Sequence, residues 1–347
     1  MADSSTSSAN SCEVDGSSSM AASPPSRRSS ETSWQMSDAL PSLADFHSSV
    51  GSWGEQEQNI IKTPYTYILG LKGKGFRTRF LQALNVWLGV DNESCAIVDE
   101  TISMLHNSSL LIDDIQDNSK YRRGALAAHE VYGVAQTINA ANYVYFEAMQ
   151  GLHRLESWPQ LFLIYNEELL HLHRGQGMEL FWRETMQPPS IDEYLRLISN
   201  KTGGLFRLAL RLMQAMSDCN YEISPLVDVM GLMFQIVDDY KNLKDAKMNI
   251  QKGYCEDITE GKFSFLISHA VWINDAKRGD ILRILKMHTT DNDLKAFVVQ
   301  CLEESGSFEY TRRTVFQLGE RARQLLANIP QPNPVIEALI DTLVKDL

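Results

Sequence analysis

The chain has 347 residues and a formal net charge of −12, from 32 Lys+Arg against 44 Asp+Glu. That acidic balance, without any strongly basic run, argues against a nucleic-acid partner on electrostatic grounds. Five scattered cysteines, Cys12, Cys95, Cys219, Cys255 and Cys301, contain no CxxC pair, so they read as reduced thiols and not as a zinc site or a disulfide framework.

Residues 1–54 read as a disordered Ser-rich tail, with 17 serines in the first fifty positions and few large apolar side chains. Such a segment cannot bury enough surface to offset its ordering entropy. It lacks the apolar core of a signal peptide, and its recurring acids disfavour a transit peptide. No apolar run approaches the roughly 20 residues of a membrane span, so a cytoplasmic protein is expected. The folded domain is expected over 55–347.

From there the apolar spacing is helical almost throughout. Helices are expected at 76–88, 94–115, 139–155, 160–186 and 191–216, then at 224–243, 263–272, 280–288, 291–305, 308–326 and 334–344. Breaks fall at Trp158-Pro159 and Pro188-Pro189, and Pro225 suits a first turn. No βαβ rhythm interrupts them. The fold class is therefore all-α, a single large bundle of about ten or more helices.

Two acidic clusters stand out. In Ser108–Gly124, SSLLIDDIQDNSKYRRG, Asp113 and Asp117 lie one turn apart on one helical face, with Asp114 between them. Carboxylates so close repel unless a cation neutralises them. A hard dication such as Mg²⁺ takes oxygen ligands, often one or two carboxylates plus phosphate oxygens. Arg122 and Arg123 follow, and guanidinium suits bidentate phosphate pairing. The second cluster, FQIVDDYKN, sets Gln235, Asp238, Asp239 and Asn242 on one face of an otherwise apolar helix. Facing each other, the two clusters would form a clamp for metal ions and a diphosphate. His171 and His173 read as structural, since residues two apart on a helix do not face each other.

The blocks LHNSSLLIDDIQDNSKYRRG, LHRGQGMELFWRE, KTGGLFRLALRLM, FQIVDDYKNL, EDITEGKFSF and GSFEYTRR together resemble the trans-isoprenyl diphosphate synthases, in particular the eukaryotic, fungal-like geranylgeranyl diphosphate synthases. The resemblance covers the chain from about Glu55 onward. It implies a helical bundle around a central active-site cavity and a Mg²⁺-dependent prenyl transfer, with three ions per site. An allylic diphosphate (farnesyl, geranyl or dimethylallyl) ionises, isopentenyl diphosphate attacks, and a proton is lost. By resemblance Asp113, Asp117 and Asp238 hold the metal, with Asp114 and Asp239 in support. Arg122, Lys201, Gln235, Lys252 and Lys262 match positions on the allylic diphosphate, and Thr202 is placed to stabilise the cation. Lys74, Arg77, His106 and Arg123 match positions on isopentenyl diphosphate. A homodimer or higher homo-oligomer is implied.

Small Ser108 and Ser109, five and four positions before Asp113, leave a product tunnel open and imply a C20 product. Deeper stops are expected at Met104, Leu105 or the stretch Tyr143, Tyr145 and Phe146. Asn242 in place of the usual Asp weakens one ligand position, and Val237 replaces a common Arg. Rival readings are a farnesyl or longer-chain synthase and a class I terpene cyclase, the latter with no reason to retain GKGFR, His106 and Arg123.

Overall fold

In a computed structural model, residues 54–71, 75–244 and 253–347 are described. The expected tail (except Gly54), Lys74 and Lys252 lie outside the described residues. Fifteen α-helices and one short 3₁₀ turn make up most of the described residues. They are α1 Glu55–Ile61, α2 Thr63–Leu69, α3 Phe76–Leu88, α4 Asn92–Gln116, α5 Ala128–Tyr132, α6 Val134–Gly151, α7 Trp158–Thr185 and α8 Ile191–Gln214. After these come α9 Ser224–Lys244, α10 Glu256–Thr259, α11 Phe265–Ile273, α12 Asp275–Lys286, α13 Asn292–Glu304, α14 Ser307–Ala327 and α15 Pro334–Lys345. The all-α expectation holds.

The departures have local causes. Helix α4 starts two residues before the expected Ser94, because the Asp91 carboxylate caps it, accepting from the N–H groups of Glu93 and Ser94. Helix α8 opens on a capping box between Ser190 and Glu193. Four short helices, α1, α2, α5 and α10, escaped the periodic reading, since four to seven residues hold too few repeats to show a stripe. Two two-residue strands, β1 Tyr121–Arg122 and β2 Ala125–Leu126, form a hairpin closed by Arg123 and Gly124. Both turn residues have positive φ, 54° and 82°, as a tight two-residue hairpin loop requires.

Helix α8 sits at the centre, packed against α3, α4, α7 and α9. Its second half is buried nearly all round, with Leu208, Leu210, Leu212 and Met213 fully buried. Close approach of the helices depends on missing side chains. A Cβ on Gly175 of α7 would lie 2.5 Å from the Lys201 backbone nitrogen of α8, and one on Gly231 of α9 would lie 3.2 Å from Gly203 Cα. These contacts let α4, α7, α8 and α9 surround one cavity.

Candidate active site

A cavity of about 560 Å³ opens between these helices. Asp113, Asp117, Asp238, Lys201, Thr202, Gln235, Lys262, Arg77, His106, Arg122, Arg123 and Ser109 all line it, so most of the sequence-derived residues converge in one place. They come from α3, α4, the hairpin, α8, α9 and the segment after α10, as widely spaced as Arg77 and Lys262.

Cations and carboxylates interlock. Arg122 Nε donates to Asp114 Oδ1 at 2.7 Å, its second terminal nitrogen also pairs with Asp114, and the guanidinium lies 3.7 Å from Asp113 Oδ2. Lys201 Nζ donates to Glu179 at 2.5 Å and to Asp113 at 3.3 Å. Burial opposes the Lys201 ammonium, but Asp113 and Glu179 outweigh it and raise its pKa. Lys262 Nζ donates to Asp239 at 3.0 Å and lies 3.6 Å from Asp257. Thr202 Oγ1 donates to Gln235 Oε1 at 2.5 Å, and Gln235 Nε2 donates to Asp239 Oδ1 at 2.9 Å.

A second cationic group forms around Arg77, Arg123 and His106. Arg77 sits 5.9 Å from the Phe234 ring centre, a cation–π distance. Its pKa is lowered to about 10, by burial and then by Arg123. Arg123 donates to the Leu71 carbonyl at 2.9 Å. Burial, followed by Arg77, Arg123 and Arg122, holds the His106 imidazole well below its usual pKa, so it is neutral in the folded protein. Cations gathered this closely, each lowering the other's affinity for protons, make a receptor for a polyanion.

Several of the expected residues sit away from the cavity. Asp114 and Asp239 do not line the cavity; each is buried and engaged. Asp239 accepts from Gln235, Lys262, the Phe265 N–H at 2.8 Å and the Tyr194 hydroxyl. Asp239 therefore anchors neighbours, including two cavity residues. Ser108 is fully buried and absent from the lining, whereas Ser109 lines it and donates to the His106 carbonyl at 2.8 Å. One residue along a helix turns about 100°, enough to separate the two. Leu105 belongs to the apolar core, and partly buried Met104 packs against it. Of the three aromatics only Tyr145 reaches the cavity; Phe146 is 68% exposed.

His173, expected to be structural, lines the cavity beside Tyr145, their ring centres 6.0 Å apart. His171 instead faces Glu168 at 3.5 Å. Asn242 is not a weakened ligand facing the cavity. It lies about 6 Å further along the helix than Asp238, is buried, and accepts the Asp257 N–H at 3.1 Å. Val237 packs in the apolar core, where a guanidinium would be buried at great cost.

Sequence reasoning missed a polar stripe on α7. Gln176, Glu179 and Arg183 follow at three and four residues and turn toward the end of α4. Gln176 Nε2 donates to Gln116 Oε1 at 2.7 Å and lies 3.4 Å from Asp113 Oδ1. Asp257 and Glu260 add carboxylates to the lining. The signal was available: these charges sit at helical spacing in a segment otherwise rich in apolar residues.

No three His, Cys, Asp or Glu side chains form a ready-made metal cage among the described residues. The donor set nonetheless suits Mg²⁺, which is commonly held by one or two carboxylates together with substrate phosphates. Burial, then the charges of Asp113 and Glu260, push the Asp117 carboxyl well above its usual pKa. Such crowding of negative charge is what a dication relieves.

The fold and cavity define an all-α enzyme scaffold with acidic helices facing clustered cations. The polyprenyl synthetase profile matches residues 58–302, and the chain belongs to that family. A geranylgeranyl pyrophosphate synthase of Emericella nidulans is 51% identical over 295 residues, covering 85% of this chain and 74% of the relative. Enzymes of the same name from Hypoxylon pulicicidum (47% identical, 84% and 77% covered) and Fusarium fujikuroi (46% identical, 81% and 67% covered) are similarly related.

Proposed function

We propose that this chain is a Mg²⁺-dependent geranylgeranyl diphosphate synthase that condenses isopentenyl diphosphate with an allylic diphosphate to give a C20 product. One observation carries the reading. Asp113 and Asp117 on α4 and Asp238 on α9 line one cavity together with two separate sets of cations.

Asp113, Asp117 and Asp238 are the residues that would hold Mg²⁺, three ions per site by family likeness. Bound there, the metal neutralises the charge that builds on the departing diphosphate. Lys201, Lys262 and Arg122, with Gln235, bind the allylic diphosphate and stabilise the same charge. Lys252 belongs with them, and Lys74 with the other set, on sequence grounds. Thr202, which lines the same cavity, stabilises through its oxygen the allylic cation that forms as the C–O bond breaks. Arg77, Arg123 and neutral His106 hold isopentenyl diphosphate without metal. Its double bond attacks the cation, and the proton lost from the new adduct passes to a basic oxygen, the released diphosphate being the nearest abundant one. The apolar end of the cavity, walled by Leu110, Leu172, Tyr145 and His173, accepts the growing chain past Ser109.

The reading extends to a folded domain over 55–347, in a cytoplasmic homo-oligomer. Among the described residues four thiols are unpaired, two of them buried, which suits a reducing compartment. No described helix is long and apolar enough to cross a membrane. Apolar side chains on α6 and α7, among them Phe146 and Leu163 at 68% exposure each, suit a self-association face.

One incubation tests the central reading: Mg²⁺, labelled isopentenyl diphosphate and each allylic starter in turn, with the products sized. A C20 diphosphate is expected. A C15 or longer-chain main product would overturn the length assignment, and a cyclised hydrocarbon made without isopentenyl diphosphate would overturn the condensation.

A further inference from the structure

We infer that Arg183 is the positioning residue for Asp117, locking that carboxylate and the end of α4 into one unit that receives the metal–diphosphate. The inference rests on the site reading above and goes beyond it to a side chain outside the cavity lining.

Asp117 occupies a vulnerable place. It is the C-cap residue of α4, beyond the last full turn. The final carbonyls of a helix have no intrahelical donor, and helix ends fray. A ligand carboxylate there would be poorly held by its own helix. Arg183 supplies what is missing from the side of α7. Its Nη1 donates to Asp117 Oδ1 at 2.6 Å, and its Nη2 donates to the Gln116 carbonyl at 2.7 Å. A single planar fork thus grips the carboxylate and the adjoining backbone at once. The guanidinium side chain is 6% exposed and that of Asp117 7%, so the pair is shielded from water.

The grip has a second point. Gln176, seven residues earlier on the same face of α7, donates to the Gln116 side chain. Helix α7 therefore holds the last residues of α4 from both sides of one turn. Only a guanidinium can make the Asp117–Gln116 bridge, because a lysine ammonium is a point donor without the fork. Partners that orient ligating carboxylates commonly set metal affinity without touching the metal.

The test compares wild type, Arg183→Lys and Arg183→Met, using inorganic diphosphate with Mg²⁺ as the probe. Two quantities are read: the Mg²⁺ concentration at half-maximal thermal stabilisation by diphosphate, and the Mg²⁺ dependence of turnover. Both variants are expected to raise the half-maximal Mg²⁺ concentration by roughly tenfold. Arg183→Lys retains the charge and guards against a simple folding failure of Arg183→Met. An unchanged Mg²⁺ requirement in Arg183→Lys would reduce Arg183 to an ion pair between helices and overturn the inference. Absence of any Mg²⁺-dependent stabilisation in the wild type would instead overturn the site reading beneath it.

Discussion

Nε of Arg122 donates to Oδ1 of Asp114 at 2.7 Å, and both side chains are buried. Burial alone would lower the arginine's pKa, but Asp114 more than compensates and raises it. Arg122 is thus held charged at the cavity wall by a carboxylate that does not itself face the cavity. Asp114→Asn should leave that guanidinium largely uncompensated and cost about 3–5 kcal/mol of stability. Urea unfolding measures the loss, and the KM for the allylic diphosphate should rise with it. Unchanged stability would show that Asp113, 3.7 Å away, suffices as the partner.

Asp113→Ala should reduce kcat by three or more orders of magnitude, since metal-based charge stabilisation worth several kcal/mol is lost. Lys201 also loses a carboxylate 3.3 Å from its ammonium. Turnover within tenfold of wild type would remove Asp113 from the proposed metal site.

Neighbouring serines should behave differently. Ser109→Phe places a ring in the cavity and should shift the product toward C15, read by chromatography of the dephosphorylated alcohols. Ser108→Phe forces the same ring into fully buried packing and should cost about 1–3 kcal/mol or more through overpacking. Its main effect should appear in the melting temperature. Equal product shifts in the two variants would refute the assignment of Ser109 alone to the wall.

His106 sets a pH dependence. Its pKa in the folded protein lies well below the usual 6.5, whereas in the unfolded chain it is ordinary. Between those values the unfolded chain binds more protons, so stability falls as pH drops through about 6.5 toward the folded value. His106→Gln should flatten the decline in urea midpoint between about pH 7 and pH 5.5. A variant as pH-sensitive as the wild type would assign the decline to other groups.

Gly175→Ala should lower both stability and activity. The added Cβ would stand 2.5 Å from the Lys201 nitrogen and 2.9 Å from its Cβ, so α7 and α8 must separate or Lys201 must move. A cost of about 1–3 kcal/mol is expected, with kcat falling further than the change in folded fraction explains. A melting temperature and kcat equal to wild type would show that the helices part freely.

Much of this protein is legible in its amino-acid order. Apolar residues at helical spacing located eleven helices to within a few residues at most ends, because a long amphipathic helix repeats its signal several times. Both acidic clusters were visible for the same reason: Asp113, Asp117 and Asp238 are charges on helices that otherwise read as core. What periodicity could not decide was which neighbour each charge meets. Asp113 and Asp114 are adjacent in sequence, yet one faces the cavity and the other is buried against Arg122. Ser108 and Ser109 divide in the same way, and His173 enters the cavity while His171 meets Glu168. Arg183 finds Asp117 across 66 residues. Rotation by about 100° per residue and the separations set by Gly175 and Gly231 settle these choices. Local sequence determines the helices and their charged faces; the packing of four helices around one cavity decides which charges hold the fold and which remain for the chemistry.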